Sequence, residues 1–234
     1  MSPFVLSPDE WVALRLTLKV AAVATLLALP AGIAVALLLA RGRFPGRMLL
    51  DAVVHLPLVL PPVVTGYLLL LAFGRRGPVG EWLETSLGLV FSFRWTGAAL
   101  ASAVMGFPLM VRAIRLSIES IDQRLEFAAG SLGAHPAWVF ATVTLPLALP
   151  GVLAGAVLCF AKALGEFGAT ITFVSAIPGE TQTLSASIYA ATQTPDGDAA
   201  AMRLTGVAIA VSLGALAASE WLARRVRRAV RGLE

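Results

Sequence analysis

Long apolar runs without a charged side chain constrain this chain more than any other feature. The clearest run is Val20–Ala40, which contains no charged residue over 21 positions. About 20 apolar residues in a helix span the roughly 30 Å hydrocarbon core of a bilayer. The composition agrees: 58% of the residues are hydrophobic and 14% are charged, whereas soluble domains carry about a quarter charged residues. The sequence therefore predicts an integral membrane protein.

The runs predict an all-α polytopic bundle with about five spanning helices in a single domain, 1–234. We place the spans at residues 11–40, 53–73, 95–116, 146–168 and 203–223. The second run contains the pair Pro61 and Pro62. Such prolines are tolerated in membrane helices because neighbouring helices satisfy the carbonyls that the proline leaves free.

The distribution of arginine predicts how the bundle is oriented. With the N-terminus outside, the inner segments carry eleven arginines and the outer segments carry four. The inner set is Arg41, Arg43, Arg47, Arg112, Arg115, Arg124, Arg224, Arg225, Arg227, Arg228 and Arg231. Cytoplasmic segments are enriched in Lys and Arg. The bias predicts N-out, C-in, places residues 124–145 in the cytoplasm, and favours a membrane role for the basic residues over nucleic-acid binding.

The sequence lacks the residues that several kinds of catalytic site require. A Walker A loop needs Gly-Lys-Ser/Thr, and neither Lys19 nor Lys162 has those neighbours. There is no H-E-x-x-H or G-x-S-x-G sequence, and Cys159 is the single cysteine. The sequence thus predicts no cofactor or metal in this chain and disfavours an enzyme.

Residues 124–145 predict a short helical segment between two spans. Leu125–Leu132 has Glu126 near its start, and Gly133 suits the left-handed conformation that ends a helix. Pro136 suits the first turn of a second helix, Pro136–Thr144, which we expect Pro146 to end before the fourth span. Both pieces would lie across the cytoplasmic face. The alternative is an interfacial connector that binds no partner.

The spacing within this segment resembles the EAA loop of ABC-importer permeases. That pattern has Glu-Ala-Ala, three residues, Gly, nine residues, an aliphatic residue, any residue, and Leu-Pro. The matching positions are Ala128, Ala129, Gly133, Val143, Leu145 and Pro146. Phe127 occupies the glutamate position, and Glu126 stands one residue earlier.

The resemblance implies that ATP and Mg²⁺ are bound by a separate ATP-binding subunit. In the family this loop is the coupling helix, which docks in a groove of that subunit. The implied contact residues are Glu126, Phe127, Ala128, Ala129, Gly133, Leu145 and Pro146. One loop per chain and two ATP-binding subunits imply a homodimer with the translocation path at its interface.

Three further segments, residues 56–80, 107–116 and 164–184, are similar to the molybdate-transport permease family. The family implies import of molybdate, or of tungstate, by alternating access in the bacterial cytoplasmic (inner) membrane. It also implies an extracytoplasmic molybdate-binding protein as a partner. A sulfate or thiosulfate permease is the nearest alternative. An ion channel or a membrane scaffold is the alternative of another class.

Four residues are candidates for the substrate path. Lys162 and Glu166 are four positions apart, which predicts that they share a helix face at the end of the fourth span. Lys162 would attract an oxyanion, or the two would form a structural pair that locks helix packing. Thr65 and Tyr67 follow the double proline, where broken backbone can line a cavity or form a packing kink. The polar residues 175–200 form either a solvated outer connection with short ordered pieces or a docking segment.

Overall fold

The structure is a computed structural model that describes the backbone of residues 6–231 and the side chains through residue 218, together with Trp221. Within this part of the chain the secondary structure is helical, which confirms the predicted all-α class. The helices are α1 (Pro8–Arg41), α2 (Arg47–Val59), α3 (Pro62–Phe73), α4 (Pro78–Leu87), α5 (Trp95–Glu119), α6 (Gln123–Ser131), α7 (Pro136–Val139), α8 (Leu145–Leu164), α9 (Gly168–Val174), α10 (Leu184–Thr192) and α11 (Asp198–Arg231). A π-helical turn, Phe140–Thr144, joins α7 to α8.

Helix α1 begins at a capping box. The Ser7 hydroxyl accepts a hydrogen bond from the backbone N–H of Glu10 at 3.3 Å, and the Glu10 carboxylate accepts one from the N–H of Ser7 at 2.7 Å. The box satisfies two of the N–H groups that a helix start leaves without partners. Glu10 is also paired with Arg203 of α11 at 2.6 Å, which ties the two terminal helices together at this end of the bundle.

The centre of the bundle is α5, which packs between α1 and α8. Glycines allow the close approach: a Cβ on Gly106 would lie 2.6 Å from the Cys159 sulfur, and a Cβ on Gly155 would lie 2.8 Å from the Met110 carbonyl oxygen. Lipid tails are as apolar as leucine, so membrane helices associate through close packing of small residues rather than through hydrophobic burial.

Four helical segments of the described chain are long and apolar enough to cross a membrane. They are Pro8–Arg41, Trp95–Glu119, Pro136–Leu164 and Asp198–Ala218. Helices α2 and α3 form a fifth span if the pair is taken together, but they are bent by 117°. The predicted second span, 53–73, is therefore two helices rather than one. The bend arises because a residue before proline is driven to extended backbone, which Leu60 and Pro61 both adopt.

The predicted second helix across the cytoplasmic face, Pro136–Thr144, is wrong as a separate element. It continues through the π-helical turn into α8, so that Pro136–Leu164 is one helical span. In the turn the N–H of Leu145 donates to the carbonyl of Phe140, five residues back. Pro146 follows directly. The wider turn accommodates the ring and the missing N–H that would otherwise interrupt an α-helix.

The last two spans also differ in their bounds from the prediction. Helix α8 ends at Leu164 rather than at residue 168, and α9 is a separate helix. The fifth span, predicted at 203–223, lies inside the longer α11. Helix α10 is the ordered piece expected within residues 175–200. The side chains of the five C-terminal arginines lie outside the described residues.

Candidate functional site

The segment around α6 has the local geometry that its sequence predicts. The carboxylate of Asp122 accepts a hydrogen bond from the N–H of Arg124 at 2.9 Å and caps the helix start. Gly133 has φ +87°, the left-handed conformation expected after the helix. The ring nitrogen Nδ1 of His135 accepts from the N–H of Ala137 at 3.3 Å, and Pro136 occupies the first turn of α7. A helix, a sharp turn and a second helix start therefore occur as predicted.

The carboxylate of Glu126 is turned toward its own chain. Its Oε2 lies 3.1 Å from Nε of Arg41, and its Oε1 accepts a hydrogen bond from the Thr144 hydroxyl at 2.8 Å. Its side chain is 20% exposed. Because the carboxylate is engaged within the chain, a direct contact of this group with an ATP-binding subunit stays a prediction that the geometry does not favour.

Arg41 extends the same network to a third helix. Its Nη2 donates to the carbonyls of Ile118 at 3.0 Å and Ile121 at 3.2 Å, at the end of α5. We call the set Arg41, Glu126 and Thr144 the α6 anchor. It joins α6 to the ends of α1 and α5 and to the π-helical turn. Sequence reasoning missed Arg41 and Thr144 because they are 85 and 18 positions from Glu126.

This segment carries large apolar side chains that are exposed. Phe127 is 72% exposed, Leu132 is 89% exposed and Trp138 is 66% exposed. Ala128 and Gly133 are exposed beside them, and Ala129 is half-buried. We call Phe127, Ala128, Ala129, Leu132, Gly133 and Trp138 the α6 surface. Exposed apolar patches rimmed by polar residues mark interaction sites.

Two of the predicted contact residues, Leu145 and Pro146, lie at the start of α8. Leu145 packs against the core that includes Ile118 and Ala148. Pro146 is exposed. Leu145 therefore supports the base of the segment from inside, rather than presenting its side chain on the α6 surface.

At a second place in the bundle, the two breaks in the spans meet. A Cβ on Gly168 would lie 2.8 Å from Cβ of Pro62, and a Cβ on Gly66 would lie 2.4 Å from the carbonyl oxygen of Ala169. We call this packing of Pro62 and Gly66 on Gly168 and Ala169 the α3–α9 junction. Only glycine permits backbones to approach this closely.

Lys162 and Glu166 are paired beside this junction. Nζ of Lys162 lies 2.7 Å from Oε2 of Glu166, and Oε1 of Glu166 accepts a hydrogen bond from the N–H of Ala169 at 3.0 Å. The sequence predicts that the two residues share a helix face. In the structure they do not share one helix, because α8 ends at Leu164. Instead Glu166 lies in the break, joins α8 to the first turn of α9, and is 1% exposed. Lys162 is 31% exposed.

The other two candidates on the substrate path lie on different faces of α3. Thr65 is 5% exposed, and its hydroxyl has no hydrogen-bond partner within the described part of the chain. Tyr67 is 53% exposed. The structure therefore does not bring these two side chains together.

The sequence comparison gives matches along most of the chain. The family described as "Binding-protein-dependent transport system inner membrane component" matches residues 28–228. The molybdenum transport system permease protein ModB of Escherichia coli (strain K12) is 58% identical over 220 residues. This match covers 94% of the present chain and 96% of the relative.

Solved structures of similar fold are ABC importers. The chain superimposes with a TM-score of 0.74 on a bacterial ABC transporter involved in the import of the acidic polysaccharide alginate, at 21% identity and covering 94% of this chain and 80% of that one. It superimposes on the inward-facing MetNI methionine ABC transporter with a TM-score of 0.71, at 18% identity. There the match covers 95% of this chain and 99% of the other. At these identities the likeness establishes the fold, which agrees with the predicted ABC-importer bundle.

Proposed function

This chain belongs to the family of binding-protein-dependent transport system inner membrane components, and we propose that it is the permease subunit of an ATP-driven molybdate importer. The observation that carries the substrate is the 58% identity with a molybdenum transport permease over 94% of the chain. A binding-protein-dependent system implies an extracytoplasmic binding protein as a partner and the bacterial cytoplasmic membrane as the location.

The α6 surface is the proposed docking site for a separate ATP-binding subunit. Phe127 and Leu132 are large apolar side chains with most of their area exposed at the end of the bundle. Such residues are typical of the buried core of an interface between proteins. Gly133 supports this reading because its left-handed turn leaves the approach open, with no atom within 4 Å of a Cβ placed there.

The α6 anchor gives the docked subunit a mechanical connection to the spans. Arg41 is the last residue of α1, and it holds carbonyls at the end of α5 as well as Glu126 of α6. Movement of α6 is thereby transmitted to α1, α5 and α8 at once. ATP and Mg²⁺ are bound by the ATP-binding subunit, two permease chains form the translocation path between them, and α6 faces the cytoplasm in keeping with the arginine bias.

Lys162 has two candidate roles, and the geometry favours the structural one. Its ammonium is matched by Glu166 at 2.7 Å, which neutralises the charge within the membrane segment. The functional alternative, attraction of the oxyanion, is supported by the 31% exposure of the lysine side chain. Transport by Lys162→Met, at matched melting temperature, separates the two: unchanged uptake excludes the functional role.

Reconstitution of the chain with its ATP-binding subunit and binding protein tests the proposed function. Molybdate uptake into proteoliposomes should require ATP and should be competed by tungstate better than by sulfate. Uptake of sulfate that molybdate does not compete would instead support the sulfate permease. ATP-independent flux would support a channel.

Docking is tested with two variants, one at an exposed leucine of the α6 surface and one at an exposed leucine elsewhere. Leu132→Ser should abolish co-purification of the ATP-binding subunit because it removes an apolar side chain from the contact. Leu87→Ser, in another exposed leucine at the end of α4, is the matched control and should leave co-purification intact. Equal loss in both variants would contradict docking at α6.

A further inference from the structure

A cavity lined mainly by residues with charged side chains lies between α2 and α5, away from both sites described above. Its volume is about 270 Å³. The residues that line it are Asp51, His55, Arg112, Arg115, Leu116 and Glu119. It is on the same end of the bundle as α6, because Arg41 of the α6 anchor holds the carbonyl of Ile118, next to Glu119. That is the end predicted to face the cytoplasm.

Most of the charges in this cavity neutralise one another. Arg115 donates from Nη1 to Asp51 at 3.0 Å and from Nε to Glu119 at 2.8 Å. Both carboxylates are therefore engaged by one guanidinium. Nδ1 of His55 lies 2.9 Å from the backbone carbonyl oxygen of Asp51 and 3.2 Å from its carboxylate. Because both neighbours are acceptors, Nδ1 carries the ring proton and is occupied as a donor.

Arg112 is the cation of this cavity that remains unmatched. Within the part of the chain that the structure describes, its guanidinium has neither a hydrogen bond nor an ion pair, and the side chain is exposed. A guanidinium offers five N–H donors in a planar fork that fits the oxygens of carboxylate and phosphate groups in a bidentate manner. Arg115 engages both carboxylates, so the lining as a whole is neutral, and the guanidinium of Arg112 has free N–H donors for an anion.

We propose that this cavity is an exit subsite, where Arg112 binds the transported tetrahedral oxyanion before its release on the α6 side. This proposal rests on the proposed function. Water occupies about 30 Å³ per molecule in the liquid, so the cavity has room for a tetrahedral oxyanion together with several waters. The nearby carboxylates of Asp51 and Glu119 limit how tightly an anion is held. A transport pathway requires such sites to bind weakly enough to release.

The test is molybdate binding to the assembled transporter, the full chain with its ATP-binding subunit in phosphatidylcholine vesicles. The binding protein is left out, and α6 faces the medium. Equilibrium dialysis with elemental analysis of molybdenum gives the dissociation constant. Arg112→Met should raise it about tenfold or more, as expected for the loss of charge-assisted hydrogen bonds. Arg112→Lys, which keeps the charge but not the fork, should give an intermediate value.

A second measurement separates binding from a structural role. Molybdate added on the α6 side should slow ATP-driven turnover of the wild type by occupying the exit subsite, and Arg112→Met should relieve this inhibition. Arg43→Met, at an exposed arginine of the same end that does not line the cavity, is the matched control. It should behave as the wild type in both measurements. A variant that is merely less stable would have a lower melting temperature, but it would not show both the weaker molybdate binding and the relief of inhibition.

Three outcomes would overturn the proposal. The first is molybdate binding by Arg112→Met as tight as by the wild type, in a transporter that imports molybdate. The second is an equal loss of molybdate binding in Arg43→Met, because the loss would then reflect the net charge at the α6 end of the bundle. The third is displacement of molybdate by added phosphatidylglycerol that excess molybdate cannot reverse, because the site would then hold a lipid phosphate. Failure of the proposed function would look different: the wild type would import no molybdate, while Arg112→Met would still weaken binding of the tetrahedral oxyanion that is imported.

Discussion

The α6 anchor contains a carboxylate paired with a cation, and a second such pair lies beside the α3–α9 junction, yet the surroundings of the two pairs differ. Glu126 is 20% exposed and shares its oxygens between Arg41 and Thr144. Glu166 is 1% exposed and joins Lys162 to the backbone of α9. A carboxylate paired with a cation therefore occurs once at the rim of the bundle and once within it.

The glycines of the two regions explain the difference. At the junction a Cβ on Gly66 would collide with the backbone of Ala169, whereas a Cβ on Gly133 of the α6 surface, or on Gly130 within α6, would meet nothing within 4 Å. Regions with few buried contacts open at low free-energy cost, and closely packed regions do not. We infer that the junction holds the broken spans rigidly and that the α6 surface is built to be covered and moved by another subunit.

The largest effect should come from breaking the buried pair. Glu166→Ala leaves Lys162 without its counter-ion and α9 without its carboxylate cap, so we expect a loss of about 3 kcal/mol of stability, the lower end for a broken buried pair. Cys159 is the single cysteine and is buried, so its reaction with a thiol-reactive dye during heating reports unfolding. The double variant Lys162→Met/Glu166→Gln, which removes both charges, should recover much of the loss. If the double variant did not recover stability, the pair would contribute more to folding than the neutralisation of its two charges.

A smaller effect is expected from filling the junction. Gly66→Val places a side chain against the carbonyl of Ala169, and overpacking of this kind costs about 1–3 kcal/mol. Thermal unfolding followed by the same thiol reaction measures the change. Gly206→Val is the matched control, because a Cβ at this α11 glycine meets nothing within 4 Å. Equal destabilisation in both variants would show that the junction is not closely packed.

At the α6 surface, Gly133→Val should cost about 1–2 kcal/mol, because a side chain penalises the left-handed backbone. The larger consequence should be functional: ATP hydrolysis should continue while molybdate uptake falls. Gly130→Val is the matched control for stability, since Gly130 is equally open but lies within α6. Normal uptake by Gly133→Val would contradict the assignment of α6 as the coupling element.

The smallest change in stability should follow from Glu126→Gln. The pair with Arg41 is partly exposed, and such pairs contribute about 1 kcal/mol or less. Because the anchor connects four elements, we still expect uptake per ATP hydrolysed to fall. A ratio equal to that of the wild type would show that α6 is connected to the spans by packing alone, including that of Leu145.

Local rules of the chain predicted much of the α6 segment. Gly133 ends the helix and Pro136 begins the next one, as the preferences of these residues dictate. The prediction that Pro146 ends this second helix is wrong, because a π-helical turn before the proline lets the helix continue into the span. Whether residues 53–73 would bend or run straight was equally beyond sequence reasoning, since prolines in a membrane helix are compatible with both.

The sequence by itself determined that this protein is a helical membrane bundle, because charge-free runs of about 20 residues have no other stable setting. Through its resemblance to ABC-importer permeases, the sequence also predicted residues 124–145 as the loop that couples to ATP hydrolysis. Only the tertiary structure decided the partners of the charged groups: Arg41 for Glu126, the α9 backbone for Glu166, and no partner for Arg112 in the described chain. The physical reason is that hydrogen bonds and ion pairs act over a few ångströms, and residues far apart in sequence reach that distance only after the helices have packed.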